Sequence, residues 1–64
     1  MISNPRLGQI VQLWYRASLR PIAPDHGRVG TVVARAKGRP RNHGVSIDGR
    51  LTIVPAGNLR DPRP

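Results

Sequence analysis

The sequence predicts one small all-β domain, and three observations carry that prediction. The chain has 64 residues, a length that allows one domain at most. Seven glycines and seven prolines interrupt it too often for a long helix. Apolar residues alternate with polar ones over short runs, as they do along a β-strand. We expect order over about residues 7–60 and a frayed tail at residues 61–64.

The first half of the chain predicts two strands on either side of a long loop. Residues 8–16 alternate so that Val11 and Leu13 share one face, which we expect to be buried. Residues 17–27 contain two prolines and a terminal glycine, which predict a structured loop without a regular element. Residues 28–36 carry apolar side chains on both faces, a pattern typical of a central strand.

The second half predicts a hairpin followed by a short closing segment. Asp48-Gly49 is the strongest hairpin signal in the chain and predicts a two-residue type I′ turn. Residues 45–48 and 51–54 would be the strands that this turn joins. Residues 55–58 predict a tight turn or one 3₁₀ turn, and residues 59–60 can add a last short strand.

The charge of the chain favours a polyanionic partner. Eleven basic residues stand against three acidic ones, for a net charge of +8, and all the basic residues except Lys37 are arginines. The guanidinium group pairs with phosphate through two parallel hydrogen bonds and stacks on flat rings. An arginine-rich proteome would give the same count without a function. There is no cysteine, which excludes disulfides and thiolate zinc sites.

The sharpest basic feature is the segment KGRPRNHG. Lys37, Arg39 and Arg41 stand at alternate positions, so in an extended loop all three would face one phosphate strand. Asn42 and His43 would add hydrogen bonds to sugar or base edges. The alternative is a solvated loop whose charges discourage pairing between sheet edges.

Further candidates for a nucleic-acid interface lie at the ends of the predicted strands. Trp14 is the only tryptophan, and it would stack on a base if exposed or fill the core if buried; we expect a partly buried structural role. The remaining candidates are arginines that open the long loop, bracket the second strand or follow the hairpin turn: Arg16, Arg20, Arg28, Arg35 and Arg50.

The pattern of strands resembles the SH3-like small β-barrel over about residues 8–60. In that fold a 3₁₀ turn precedes the last of five strands, and the segment VPAGNL would place Val54 and Leu59 in the core on either side of it. Within this fold, DHGRVGTVVARA is similar to the KOW motif of ribosomal proteins and transcription elongation factors. The resemblance implies contact with RNA, ribosomes or polymerase.

Two functions remain open from the sequence. The first is a non-enzymatic barrel that binds RNA or DNA, or associates with a ribonucleoprotein, with little sequence specificity. The second is a small regulatory module, of a size that a phage or mobile element would encode, that docks on an acidic surface of a host protein. Recovery of one protein partner after nuclease treatment would favour the second.

Other classes of function have little support in the sequence. His26, His43 and Asp25 lack the spacing of a metal site, and no residue stands in a catalytic motif, so we expect neither a metal nor a cofactor nor an enzyme. No apolar run approaches the ~20 residues of a membrane span, and no signal peptide is evident. We therefore expect a cytoplasmic protein without membrane contact, as a monomer or a weak homodimer.

Overall fold

A computed structural model describes residues 1–36 and 41–63. The described chain forms five β-strands and two 3₁₀ helices, which we call the loop helix and the closing helix. In chain order these elements are β1 (Ile10–Leu13), the loop helix (Ala17–Ile22), β2 (Val29–Ala34), β3 (Asn42–Ile47), β4 (Arg50–Pro55), the closing helix (Ala56–Asn58) and β5 (Leu59–Arg60).

The strands form one antiparallel sheet in the order β4-β3-β2-β1-β5. The sheet curls into a half-barrel in which β2 is central, and β5 joins β1 after the closing helix. The predicted all-β class, with five strands and one 3₁₀ turn before the last, is confirmed. The arrangement is compatible with a small SH3-like barrel. Among the described residues no helix is long and apolar enough to cross a membrane.

The hairpin between β3 and β4 turns where the sequence predicts it. Asp48 and Gly49 have φ angles of 52° and 79°, so both central residues are left-handed, as a type I′ turn requires. Ile47 and Arg50 are paired directly before and after the turn. The turn therefore fixes the register of the hairpin, which puts Val45 and Val54 on the inner face of the sheet.

The core lies on the inner face of the curled sheet. Val54 and Leu59 are buried on either side of the closing helix, as predicted. Gly30 is buried in β2, and a Cβ atom there would lie 2.6 Å from the backbone oxygen of Ser46, so β2 and β3 pack too closely for a side chain at this position. The buried apolar residues are Val11, Leu13, Val32, Val45, Ile47, Val54 and Leu59.

The long loop and the start of the third strand differ most from the sequence prediction, and β1 and β2 are shorter than predicted. The long loop contains the loop helix, with Pro21 inside it, because two hydrogen bonds between residues three apart hold it together: from Leu19 N–H to the Arg16 oxygen and from Ala23 N–H to the Arg20 oxygen. The third strand begins at Asn42 and not at residue 45. The last residues of the basic segment therefore belong to the sheet.

Candidate functional site

A cluster of aromatic and cationic side chains forms where β1 ends. Trp14 follows β1 and is 36% exposed. The guanidinium carbon of Arg60 lies 3.3 Å from the centre of the Trp14 ring, and that of Arg20 lies 5.0 Å from it. The His26 ring is tilted against Trp14, with the ring centres 4.3 Å apart. We call these four residues the Trp14 cluster.

Backbone and side-chain hydrogen bonds hold Trp14 at the closing helix. The Trp14 N–H donates to the Asn58 backbone oxygen over 2.9 Å, and the Asn58 side-chain amide donates back to the Trp14 oxygen over 3.2 Å. The indole is thus fixed at the junction of β1 and β5, partly buried as the sequence predicts, with about a third of the residue still open to solvent.

Arg60 is oriented by a chain of two hydrogen bonds. Its Nε donates to the Gln12 Oε1 over 2.8 Å, and the Gln12 amide donates to the Gly27 oxygen over 2.9 Å. In the described part of the chain this is the one hydrogen bond from the Arg60 side chain, so its two terminal nitrogens keep their donors. Stacking on Trp14 uses the face of the guanidinium and leaves the in-plane N–H groups available for an oxyanion.

His26 and Arg20 are both tied to the backbone of Tyr15. The Tyr15 N–H donates to the His26 Nδ1 over 3.0 Å, and the Arg20 Nε donates to the Tyr15 oxygen over 3.0 Å. Burial, with further contributions from Arg20 and Arg60, lowers the pKa of His26 below its ordinary value. His26 is therefore neutral at pH 7, and it packs against Trp14 without adding charge.

The Trp14 cluster holds positive charge that no carboxylate neutralises within the described residues. Desolvation is the main cause that lowers the pKa of Arg60, and the positive charges of Arg63 and Arg20 lower it further. The described salt bridges lie elsewhere in the fold. A site that combines crowded, oriented guanidinium groups with a half-open aromatic ring is suited to an anionic ligand with a flat group.

Two of the predicted site arginines are already bound to carboxylates. Arg50 donates to both oxygens of Asp25, at 2.8 and 3.3 Å, which ties the long loop to β4. Hydrogen bonding from Arg50 lowers the pKa of Asp25. Arg28 pairs with Asp48 at the hairpin turn, where both side chains are largely exposed. These arginines connect parts of the fold to one another, and carboxylates of the protein neutralise their charge.

The basic segment lies only partly within the described residues. Lys37 and Arg39 fall outside them. Arg41 is exposed, and its guanidinium donates to the Ser3 oxygen over 3.3 Å and to the Asn4 side-chain oxygen. Arg35, Asn42 and Arg16 are exposed at the end of β2, at the start of β3 and at the start of the loop helix. The predicted arrangement of three cations along one phosphate strand stays a prediction.

His43 is a correction to the predicted site. The residue is 2% exposed and lies on the inner face of β3, opposite Val54. Its Nδ1 accepts a hydrogen bond from the Ala36 N–H over 3.3 Å, and burial lowers its pKa. The side chain is therefore unavailable for the predicted contact with sugar or base edges. The physical reason is alternation, since His43 is in phase with Val45 and Ile47 along the strand.

The closing helix connects Arg41 with the Trp14 cluster through hydrogen bonds at its two ends. Its first residue, Ala56, donates an N–H to the Arg41 oxygen over 2.9 Å, and its last residue, Asn58, holds Trp14. These two residues are separated by roughly 4 Å along a 3₁₀ axis. Arg41 and Trp14 thus flank one short element, although they are far apart in sequence.

Sequence reasoning missed Arg60 and His26 as members of the site. Gln12 and Trp14 share the outer face of β1, and β5 pairs with β1 so that Arg60 stands opposite Gln12. The alternation along β1 places Gln12 and Trp14 together, but the pairing of β5 with β1 that brings Arg60 beside them is a long-range contact that the sequence pattern does not give. His26 belongs to the long loop, where no periodicity places a side chain.

Comparison with protein families, curated proteins and solved structures finds no match to this chain. Across residues 1–36 and 41–63, no group of three or more histidine, aspartate or glutamate side chains is placed to hold a metal ion. What the site does is therefore argued from its own geometry.

Proposed function

We propose that this protein is a small non-enzymatic SH3-like barrel of the KOW type that binds single-stranded RNA or DNA with little sequence specificity. Arg20 and Arg60 would bind backbone phosphates, and the open part of Trp14 would stack on a base. Arg16, Arg35 and the basic segment would extend the contact along the strand. No cofactor is needed for such binding.

The observation that carries the proposal is the geometry of Arg60. Its guanidinium lies 3.3 Å from the Trp14 ring centre, is held by Gln12 and has no carboxylate partner among the described residues. Proteins that bind single strands without sequence preference combine a basic groove with aromatic side chains on which bases stack. An arginine fixed against a tryptophan supplies both parts with little loss of side-chain entropy on binding.

The resemblance to the KOW motif adds support from the backbone. Gly27 has a φ of 82°, so the motif begins with a left-handed turn that favours glycine. Gly30 lies where β2 and β3 approach too closely for a side chain. Both glycines of DHGRVGTVVARA thus have a physical reason for being glycine, as the motif requires.

The experiment is a salt titration of binding to a labelled single-stranded oligonucleotide, followed by fluorescence anisotropy. The double variant Arg20→Gln/Arg60→Gln should weaken binding, and the plot of log affinity against log salt should become shallower by roughly 1.4 units for two lost phosphate contacts. The matched control Arg6→Gln/Arg28→Gln removes the same charge away from Trp14 and should retain most of the slope.

Equal losses in the two double variants would show that net charge alone drives binding, and would overturn the proposed site. An acidic protein partner is the other candidate, since carboxylates suit the same guanidinium groups. A pull-down after nuclease treatment separates the two: loss of all partners supports nucleic acid, whereas retention of one protein contradicts the proposal.

A further inference from the structure

The outer face of the sheet, formed by side chains of β1–β4 that point away from the core together with Leu7, is apolar and uncovered. Its aliphatic residues are between 48% and 64% exposed. They are Leu7, Ile10, Val29, Val33, Leu51 and Ile53. A soluble monomer rarely leaves a continuous apolar patch of this kind open, and such patches commonly mark protein interfaces.

The register of the strands makes this outer face continuous. One row runs across all four strands, through Ile10, Thr31, Ser46 and Leu51. In the next row a Cβ atom on Gly44 would lie 3.0 Å from the Ala34 Cβ and 3.1 Å from the Leu51 Cδ1. Small residues in the middle strands therefore let the larger side chains of the flanking strands close over them into one surface.

The outer face between β1 and β4 carries no ionisable side chain among the described residues. Arg28 and Asp48 pair at one end, Arg35 lies at the other, and Arg60 stands beside Gln12 at the β1 margin. A nucleic acid or an acidic protein surface finds no charged partner in the middle of this face. Its natural complement is another neutral aliphatic surface.

We propose that the outer face packs against the outer face of a second copy of this chain. A fully exposed aliphatic side chain offers roughly 60–120 Å² of apolar surface, so six of them at about half exposure offer roughly 200–400 Å² per copy. Apolar atoms make up about 60% of an interface, so two copies would bury roughly 700–1,300 Å² in total. That range reaches the approximately 1,000 Å² of a specific interface and predicts a weak dimer.

The neutral, aliphatic outer face can pack against the same face of a second copy related by a two-fold axis. Two sheets pack face to face at about 10 Å, with their strands within about 30° of each other. Such contact uses the whole outer face, and it leaves the cations of both copies at the rim, where salt screens them. Pairing along the open edge of β4 would use backbone hydrogen bonds, and it would cover Leu51 and Ile53 alone, leaving about two thirds of the apolar area open.

The test is sedimentation velocity on nuclease-treated protein from about 10 µM to about 1 mM. The wild type should shift from monomer to dimer over this range, and Ile53→Lys should weaken dimerisation by at least about tenfold. Ile22→Lys is the matched control, because Ile22 is 79% exposed in the loop helix and the substitution adds the same charge. Salt should strengthen the dimer, opposite to its effect on nucleic-acid binding.

A second measurement, the reaction rate of an introduced thiol, avoids placing a lysine in the sheet. The chain has no cysteine, so Leu51→Cys introduces a single thiol on the outer face, and Ile22→Cys provides its control. The thiol at position 51 should react with a maleimide more slowly as protein concentration rises, and the thiol at position 22 at a constant rate. A monomer at every concentration, or equal behaviour of the two positions, would overturn the proposal and leave the face to a different protein.

Discussion

Two pairs of arginines have different partners and different roles in this small fold. Arg28 and Arg50 are bound to Asp48 and Asp25 and connect loop to strand. Arg20 and Arg60 are stacked around Trp14, with no salt bridge described for either. The first pair stabilises the protein and has its charge compensated. The second pair contributes repulsion to the folded state and keeps its hydrogen-bond donors for a ligand.

The contrast between these two pairs shows that a count of arginines does not indicate where a ligand binds. The partner of each guanidinium decides its role, because a carboxylate neutralises the charge whereas an aromatic ring only orients it. Desolvation, with smaller contributions from Arg63 and Arg20, lowers the pKa of Arg60, and perturbed pKa values of this kind are common at functional sites.

The largest expected effect is on affinity for an oligonucleotide, when Trp14, the ring between Arg20 and Arg60, is removed and compared with removal of Asp25, the partner of Arg50. Trp14→Ala takes away the ring that orients two arginines, and stacking on an aromatic ring contributes enough that affinity for a single-stranded oligonucleotide should fall by about tenfold or more. Asp25→Ala should leave that affinity unchanged or raise it, since it frees Arg50. Anisotropy titrations at one salt concentration measure both, and a similar loss in the two variants would erase the distinction.

A smaller effect is expected on thermal stability, when substitution of Arg50 is compared with substitution of Arg28. Arg50→Gln leaves the buried carboxyl group of Asp25 without its two hydrogen bonds. A loss of about 1 kcal/mol, the scale expected for an unsatisfied carboxyl group, lowers Tm by about 4–8 °C in a domain of this size. Arg28→Gln breaks an exposed pair, whose contribution is small, and should change Tm by less. Thermal unfolding followed by circular dichroism gives both values; the reverse order would contradict the assignment.

The smallest effect is the pH dependence of stability. In the folded state the pKa of His26 and that of His43 are both lowered from about 6.5, so the unfolded chain binds protons first. The free energy of unfolding should be constant from about pH 6.5 to about pH 9, and it should fall as pH drops from about 6.5 toward the lower folded pKa values. Above about pH 10 it should fall again, because the folded state raises the pKa of Tyr15. The lowered pKa of Asp25 adds a second decrease below about pH 4.

Variants assign each part of this pH profile. His26→Gln should make the decrease between pH 6.5 and the acid limb smaller and leave the part due to His43, and Asp25→Asn should flatten the acid limb alone. Tm measured across the pH range provides the readout. A profile that is the same in wild type and His26→Gln would show that this histidine does not contribute to the acid sensitivity.

Much of the fold could be predicted because its signals are local. Asp48-Gly49 determines a turn by itself, and the alternation of Val11 and Leu13 identifies a core face without any knowledge of partners. The start of β3 could not be predicted in this way. Asn42, His43 and Gly44 have the composition of a loop, and they become a strand because β4 pairs with them.

The site was less accessible to sequence reasoning, for a related reason. Arg60 meets Gln12 across 48 positions of the chain, a contact made only when β5 joins β1. The sequence predicts a partly buried structural role for Trp14 and leaves stacking on a base open, but its neighbours depend on closure of the sheet. The basic segment can be found from sequence because its cations stand at alternate positions within five residues, but this spacing does not show which other arginines lie near it.

The shortest strand of the protein has a consequence for how a ligand would act. β5 consists of two residues paired with β1, and one of them is Arg60. Short terminal strands open more readily than the rest of a fold, with a low free energy of local unfolding. A ligand held by Arg60 would bind only the state in which β5 is in place, and would shift that opening equilibrium by mass action. Ligand binding and closure of the sheet are then one thermodynamic event.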